Sequence, residues 1–325
     1  MRVAVIGLGV VSRPHVNALK TCGQQIVALC DVKMERCEKT NQEFGLSAAV
    51  YTDYKQMLAE VKPDVVHICT PHYLHADMIC NALGADIHVL CEKPVAINEE
   101  QLAQIEAAVQ KSKATLAVCQ QNRFNPAMRV VKDFFKDKKV TAACASVFWC
   151  RDADYYHSED WRGKWQTEGG GVMINQALHT LDILQWICGM PTSVSAAVDN
   201  HSLKGVIEVE DTAFGRFSYD GGAFTISATN AEVADFPVAY QFRAGDDVVQ
   251  LLGYQVIING KAIAVEEDLP LVGKAVWGTS HLRLIARFYE CLESGTPFEV
   301  DFAEAQKVIR MILAMYKSQG KKISI

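Results

Sequence analysis

Arg2-Val3-Ala4-Val5-Ile6-Gly7-Leu8-Gly9-Val10-Val11-Ser12 decides the fold. A short apolar run lies between a charged residue and a glycine, the pattern of a parallel-sheet strand buried on both faces. Gly7-x-Gly9-x-x-Ser12 then turns the chain into a helix. The first glycine permits the tight turn, and the second lets the backbone approach a pyrophosphate. The third position must be small so that helix and strand pack closely. Free N–H groups and the dipole at the helix start attract phosphate. Ser12 stands where a glycine is usual and keeps the side chain small. The plainer reading is an ordinary strand-to-helix turn; its place directly behind a strand favours a dinucleotide.

The next strand is Gln25–Cys30, ending in Asp31, 22 residues beyond Gly9. An acidic residue there can accept a hydrogen bond from the ribose 2′-hydroxyl of NAD and would repel a 2′-phosphate; the alternative is a helix cap. Apolar runs at 65–69, 87–91 and 115–119 read as further strands, separated by helical stretches that Asp53 and Asn98 cap. This alternation means right-handed βαβ units and a parallel sheet, with ligands beyond the carboxyl ends of the strands. Those ends carry Gly7–Ser12, Asp31, Thr70–His75, Glu92–Pro94 and Gln120–Phe124, including Gln121. Lys93 follows a buried strand and precedes a proline. It is either a surface lysine paired with Glu92 or an ammonium that moves a proton or holds substrate. Partial burial and the charge of NAD+ would lower its pKa toward the useful range.

After residue 121 the pattern changes to longer alternating strands: 140–150, 194–200, 211–219, 223–230, 239–243, 248–252 and 255–258. Asp220-Gly221-Gly222 and Asn259-Gly260 mark turns. This predicts an antiparallel sheet in an α+β domain over 122–325, behind a Rossmann domain over 1–121. Helices at 280–292 and 303–318 close the chain, and the last can pack back on the first domain. Between the first two strands, the loop 151–168 holds Tyr155, Tyr156, His157, Trp161, Arg162 and Trp165. Aromatic rings beside hydrogen-bonding groups suit sugar faces and hydroxyls. Gly169-Gly170-Gly171 then precedes a helical stretch in which Asn175, His179 and Asp182 share one face at i, i+4, i+7. The glycines permit close approach of another backbone or a ligand. His179 is a catalytic candidate beside a structural reading. A metal site is the lesser possibility, because Asn is a poor ligand and no second histidine follows at metal spacing.

The 325 residues suit about two domains, and 50% hydrophobic with 22% charged content is globular. A net charge of −6 without a basic run gives no reason to expect a nucleic-acid partner. No apolar stretch reaches membrane-spanning length, and with a strand beginning at residue 2 the expectation is that there is no signal peptide. The 11 cysteines include Cys30, Cys69, Cys91 and Cys119 in or beside apolar runs. They read as small buried hydrophobes in a reducing compartment, and C-x-x-C is absent, so the expectation is a cytoplasmic protein without a metal.

These pieces together resemble one family, the Gfo/Idh/MocA oxidoreductases. The likeness rests on Gly7–Ser12, Asp31, Thr70-Pro71-x-x-Leu74-His75, Glu92-Lys93-Pro94, Asn122-Arg123-Phe124, Trp161-Arg162, and Gly169–Gly171 with His179 and Asp182. It implies a Rossmann domain and an open-faced, mostly antiparallel sheet, through which such proteins assemble as dimers or tetramers. It implies NAD(P)-dependent oxidation or reduction of sugars, cyclitols or related compounds, with Lys93 and His179 as acid–base residues. Gly7, Gly9, Val10, Val11, Ser12 and Asp31 would hold the cofactor. Thr70, Pro71, His75, Glu92, Lys93, Gln121, Trp161 and Arg162 would complete its site. Arg123, Tyr155, Tyr156, His157, Trp165, Asn175 and Asp182 would face a carbohydrate-like substrate. Many inositol-dehydrogenase-like members have Asp where this chain has Asn175, which places inositol in doubt; Asn-Gln-x-x-His looks like members acting on nucleotide sugars or glycosides. The expected reaction is reversible hydride transfer at a secondary alcohol. Two rivals stand beside it: glycoside cleavage or elimination through transient 3-keto oxidation with NAD recycled, and a non-catalytic NAD-binding regulator.

Overall fold

The computed structural model describes residues 1–266 and 279–325. They form two compact units, 1–124 with 279–306, and 125–266 with 307–325. The helix Ser280–Ser294 therefore belongs with the first unit, although the sequence boundary at 121/122 assigns it to the second. Its Leu284, Ile285 and Phe288 join Val3, Val5, Leu19 and Leu90 in one core cluster.

The first unit is built on six parallel strands: β1 Arg2–Ile6, β2 Gln25–Cys30, β3 Ala49–Tyr51, β4 Val65–Ile68, β5 His88–Glu92 and β6 Leu116–Cys119. Their order is β3-β2-β1-β4-β5-β6, which reverses direction between β1 and β4, the switch point where such sheets bind ligands. Val3 to Ile6 are buried because β1 has a strand on each side and helices on both faces. β3 is an addition to the sequence reading; three residues are too short for a period to show. Asp53 caps the helix Tyr54–Val61 by accepting the Lys55 and Gln56 N–H groups. Asn98 caps Glu99–Val109 and accepts the Gln101 N–H.

The second unit holds nine strands: β7 Ala142–Phe148, β8 Ser193–Asp199, β9 Thr212–Tyr219, β10 Gly222–Thr229, β11 Ala239–Ala244, β12 Asp247–Leu252, β13 Gln255–Ile258, β14 Lys261–Ile263 and β15 Ile323–Ser324. Their order is β14-β13-β12-β11-β7-β10-β9-β8-β15. All neighbours are antiparallel except β7 and β10, which run parallel. Hairpin signals marked the β9–β10 and β13–β14 turns, whereas no local signal marks a parallel pair whose partners lie far apart in the chain. Phe217, Phe224, Ile226 and Phe242 point to the buried face, where the helix Leu178–Cys188 packs on β7 and β10. Burying one such side chain stabilises by about 1.5–3 kcal/mol, so a one-residue register slip, which would expose the set, is strongly disfavoured. Among the described residues, the opposite face is open. Phe214 of β9 lines up through Ser227, Ser146 and Ala239 with Leu252 of β12, and both end residues are more than half exposed. Among the described residues, no helix is long and apolar enough to cross a membrane.

Candidate active site

The glycine turn leaves β1 at the switch point. Gly7 has φ +84, and a Cβ there would lie 2.6 Å from the Cys69 carbonyl oxygen, so only glycine fits between β1 and the end of β4. A Cβ at Gly9 would meet no protein atom within 4 Å, which leaves its backbone open to approach. The helix Ser12–Thr21 begins without a side-chain cap and without an acidic residue in its first turn. The Ser12 and Arg13 N–H groups turn back on the Gly9 and Val10 carbonyls at 3.3 and 3.4 Å, and Pro14 has none, so the attraction for an anion here comes from the positive end of the helix dipole above the glycine turn. Ser12 is 2% exposed and its hydroxyl donates to the Gly9 carbonyl at 2.7 Å, which shows how a serine replaces the third glycine. Val10 is exposed at the tip and Val11 half-buried.

Asp31, at the end of β2, accepts the Leu8 N–H at 2.8 Å and the Lys33 N–H at 3.0 Å, with Arg36 at 3.6 Å. It is not a helix cap: the next helix starts at Met34 with Lys33 at its N-cap. Its carboxylate is tied to the glycine turn instead. At the end of β4, Thr70 and Pro71 are half-buried. The buried His75 ring joins Thr70 to the next strand end, with Nε2 2.8 Å from the Thr70 carbonyl and Nδ1 2.7 Å from that of Pro94. Burial lowers its pKa, against those two bonds. Lys93 is half-buried, joined to Pro94 by a cis peptide, and its N–H donates to Glu92 Oε2 at 3.2 Å.

Glu92 is 3% exposed, and its carboxylate turns inward to His15 Nε2 at 2.9 Å. His15 Nδ1 lies 2.9 Å from His67 Nδ1, and His67 Nε2 2.9 Å from the Tyr289 hydroxyl. Burial alone would push the Glu92 carboxyl up; bonds and charge from His15 and His281 outweigh it and hold it well below the usual range. His15, Glu92, Cys119 and His281 offer donor atoms all within 4.8 Å of one another. The sequence reading found no metal spacing and missed this cluster, because its members come from four separate elements. Such a set has the chemistry of a metal site, and the Glu92 carboxylate lies at its centre, 2.9 Å from His15 Nε2 and 3.6 Å from His281 Nε2. Gln121 and Arg123 are buried too, and the Arg123 guanidinium, expected at a substrate, reaches Glu304 at 3.2 Å. A hollow of about 860 Å³ beside Met1, Asp64 and His88 opens at the amino ends of the strands, away from the glycine turn.

In the second unit, the predicted single helix bearing Asn175, His179 and Asp182 is two: Val172–Asn175 and Leu178–Cys188. The break falls at Gln176-Ala177, between Asn175 and His179, with both of its residues still in the right-handed helical region. Asn175 and His179 are half-buried, and Asp182 is fully buried. Asn175 Nδ2 donates to Glu168 Oε1 at 2.6 Å, and Glu168 has no exposed surface. The Tyr155 hydroxyl accepts from Arg162, from Gln176 at 3.2 Å and from Asn175 at 3.4 Å. The Arg162 guanidinium lies 4.2 Å from the Tyr155 ring centre and 4.8 Å from that of Trp161. Tyr156, expected at a sugar, is 3% exposed, packs on Ile207 and Val209, and accepts from Asn230 at 2.9 Å. Burial pushes its hydroxyl up. His157 is exposed, as is Trp165, which donates to the Glu208 carbonyl. Sequence reasoning missed Glu168 and the pair Glu210-Asp211. Asp211 accepts the N–H groups of His201, Ser202 and Leu203, which together hold its carboxyl low against burial.

A six-stranded dinucleotide fold with this cradle, followed by an open-faced sheet domain, defines a class of NAD-dependent oxidoreductases. The chain belongs to the Gfo/Idh/MocA family: residues 1–120 match its NAD-binding Rossmann domain and 139–242 its C-terminal domain. It is 28% identical to a D-glucoside 3-dehydrogenase of Escherichia coli K12 over 247 residues, 68% of each chain. It is 26% identical over 319 residues to an NADP(+)-dependent D-xylose 1-dehydrogenase of Haloferax volcanii, 96% of this chain and 94% of that one. The WlbA dehydrogenase of Bordetella pertussis, solved with NADH and UDP-GlcNAcA, superposes with a TM-score of 0.87 at 25% identity over 100% of this chain and 98% of that one.

Proposed function

We propose that this enzyme transfers a hydride between a secondary alcohol of a sugar, glycoside or sugar derivative and NAD. The observation that carries the reading is the cradle: an uncapped helix start behind Gly7 and Gly9, on the same strand-end edge as Asp31 and Lys93. The carbohydrate-acting relatives support the substrate class. When bound, NAD+ supplies the hydride acceptor at its nicotinamide ring. The turn from Gly7 to Ser12 holds the pyrophosphate, and Asp31 accepts the ribose 2′-hydroxyl. Glu92 and His75 act behind this surface by holding the Lys93-Pro94 segment. Lys93 and His179 are the acid–base residues: one takes the hydroxyl proton as the carbinol C–H leaves as hydride, and the other donates a hydrogen bond to the developing alkoxide. His157 and Trp165, both exposed on the loop 151–168, would meet a sugar face.

We assign the chain to a reducing compartment, the cytoplasm. Its 11 cysteines form no disulfide, and burial raises Cys69, Cys91 and Cys119 well above the usual thiol range. We assign dimer or tetramer assembly to the open sheet face around Phe214 and Leu252.

The test is a panel of glycosides, nucleotide sugars and polyols, followed by NADH absorbance and by mass spectrometry of products. Oxidation with matching NADH formation is expected. K93A and H179A should each lose about 10²–10⁴-fold in turnover while still binding NAD. Bond cleavage without net NADH would replace this reading with redox-recycling lyase or glycosidase chemistry. NAD binding with no turnover on any compound would favour a regulator.

A further inference from the structure

The segment leading to Asn175 and His179 starts on Gly171, which has no side chain to cap it. The N–H groups of Gly171, Val172 and Met173 are nevertheless taken, and by one residue. Gly171 N–H donates to Glu210 Oε2 at 2.9 Å, and Met173 N–H to Oε1 at 3.0 Å. Val172 N–H donates to the main-chain carbonyl of Glu210 at 3.1 Å. The Tyr316 hydroxyl adds a fourth bond, to Oε1 at 2.9 Å. Glu210 is 2% exposed. The glycines are what admit it. A Cβ on Gly171 would lie 1.9 Å from the Glu210 carbonyl oxygen, and one on Gly170 would lie 2.0 Å from the Tyr316 hydroxyl. The close approach that the triple glycine permits is therefore that of Glu210 and Tyr316. Val172–Asn175 spans only four residues, far below the length at which a helix holds itself, so its geometry is set from outside.

We infer that Glu210 is a positioning residue for the reaction, fixing the start of the segment whose later residues are Asn175 and His179. This rests on the reading of His179 as an acid–base residue. Backbone bonds carry the constraint forward: Asn175 N–H to the Gly171 carbonyl at 3.1 Å, and Ala177 N–H to that of Val172 at 2.8 Å. Leu181 N–H then bonds the Ala177 carbonyl at 3.0 Å, inside the helix that bears His179. A shift at Gly171–Met173 passes along this path, and misplacing an acid–base group by about 1 Å costs about 10²-fold in rate.

E210Q tests the clamp without a substrate. The amide keeps the size of the side chain, but its NH₂ cannot accept, so Gly171 or Met173 loses its acceptor. In NMR on the whole protein, amide exchange at 171–173 should speed at least tenfold. The His179 ring signals, assigned with H179Q, should move, while those of the exposed His157 stay. Wild-type exchange at 171–173, or faster exchange with the His179 signals unmoved, would overturn the proposal. Should E210Q not fold, Y316F removes only the donor to Oε1; it should speed Met173 exchange several-fold and shift His179, and no change in either overturns the proposal. The carbohydrate panel is a separate readout, so absence of turnover there counts against the functional reading while exchange and ring signals judge the clamp.

Discussion

The side-chain amide of Asn175 donates to the Glu168 carboxylate, Nδ2 to Oε1 at 2.6 Å. The other Glu168 oxygen accepts the Gly163 N–H at 2.5 Å, so the pair ties the aromatic loop to the segment that follows the glycines. A donor is required at 175. In N175D two carboxylates would lie within hydrogen-bond distance in a buried place, and one would have to keep a proton at neutral pH. A buried acid with a raised pKa stabilises the fold below its ordinary pKa and loses that contribution as pH rises. N175D should therefore melt closer to wild type at pH 5 and fall behind by about 1–3 kcal/mol at pH 8. Thermal melts of both proteins across that range check it; parallel curves would refute the pairing.

Gly7 is the least replaceable residue of the turn. G7A places a methyl group 2.6 Å from the Cys69 carbonyl and asks an L-residue to hold φ +84. The left-handed backbone alone costs about 1–2 kcal/mol, and relieving the clash must shift the ends of β1 and β4. NADH affinity, measured by fluorescence titration, should drop at least tenfold. Wild-type affinity in a folded G7A would show that the turn does not set the phosphate site.

Asp31 faces the turn with its carboxylate fixed by the Leu8 and Lys33 N–H groups. That geometry should decide between NAD and NADP, since a fixed negative charge repels a 2′-phosphate. D31A should weaken NAD+ and strengthen NADP+ binding, changing the ratio of dissociation constants by tenfold or more, about 1.4 kcal/mol. Calorimetric titration with both dinucleotides measures it, and an unchanged ratio would remove Asp31 from the cofactor site.

The parallel sheet was legible because β1, β4 and β5 are short apolar runs bounded by glycine, proline or charge, and Asp53 and Asn98 announce their helices locally. β3 was not, since Ala49–Tyr51 is too short to carry a period. The helix Ser280–Ser294 was read as a helix but not as part of the first unit, because its partners are Val3 and Leu19, far away in sequence. The site divides in the same way. Gly7, Asp31 and Lys93 announce themselves by position at strand ends. Glu168 bonds Asn175, Glu92 bonds His15, and Glu210 bonds a backbone 39 residues earlier, all partners distant in sequence. Tyr156 shows the reverse error: an aromatic in a polar loop reads as a sugar platform, yet Ile207 and Val209 bury it.

Glu210 also makes a prediction about stability. Burial pushes its carboxyl up to about 7 from an ordinary 4.5, against the bonds from Met173, Gly171 and Tyr316 that pull it down. Between those values the native protein holds a proton that the unfolded chain has lost. Its contribution is thus fully present below about pH 4.5 and fades as pH rises to about 7, by about 3 kcal/mol in all. Buried His67, His75 and His281 act in the opposite sense, since burial lowers their pKa values and they lose stability as pH falls below about 6.5. The wild-type curve therefore sums opposing slopes, and only a difference isolates Glu210. The side-chain amide that E210Q introduces cannot titrate, so the urea midpoint of that variant should move toward that of wild type as pH rises from 5 to 7 and hold a constant offset above that. A constant offset across the whole range would mean that Glu210 stays ionised in the fold.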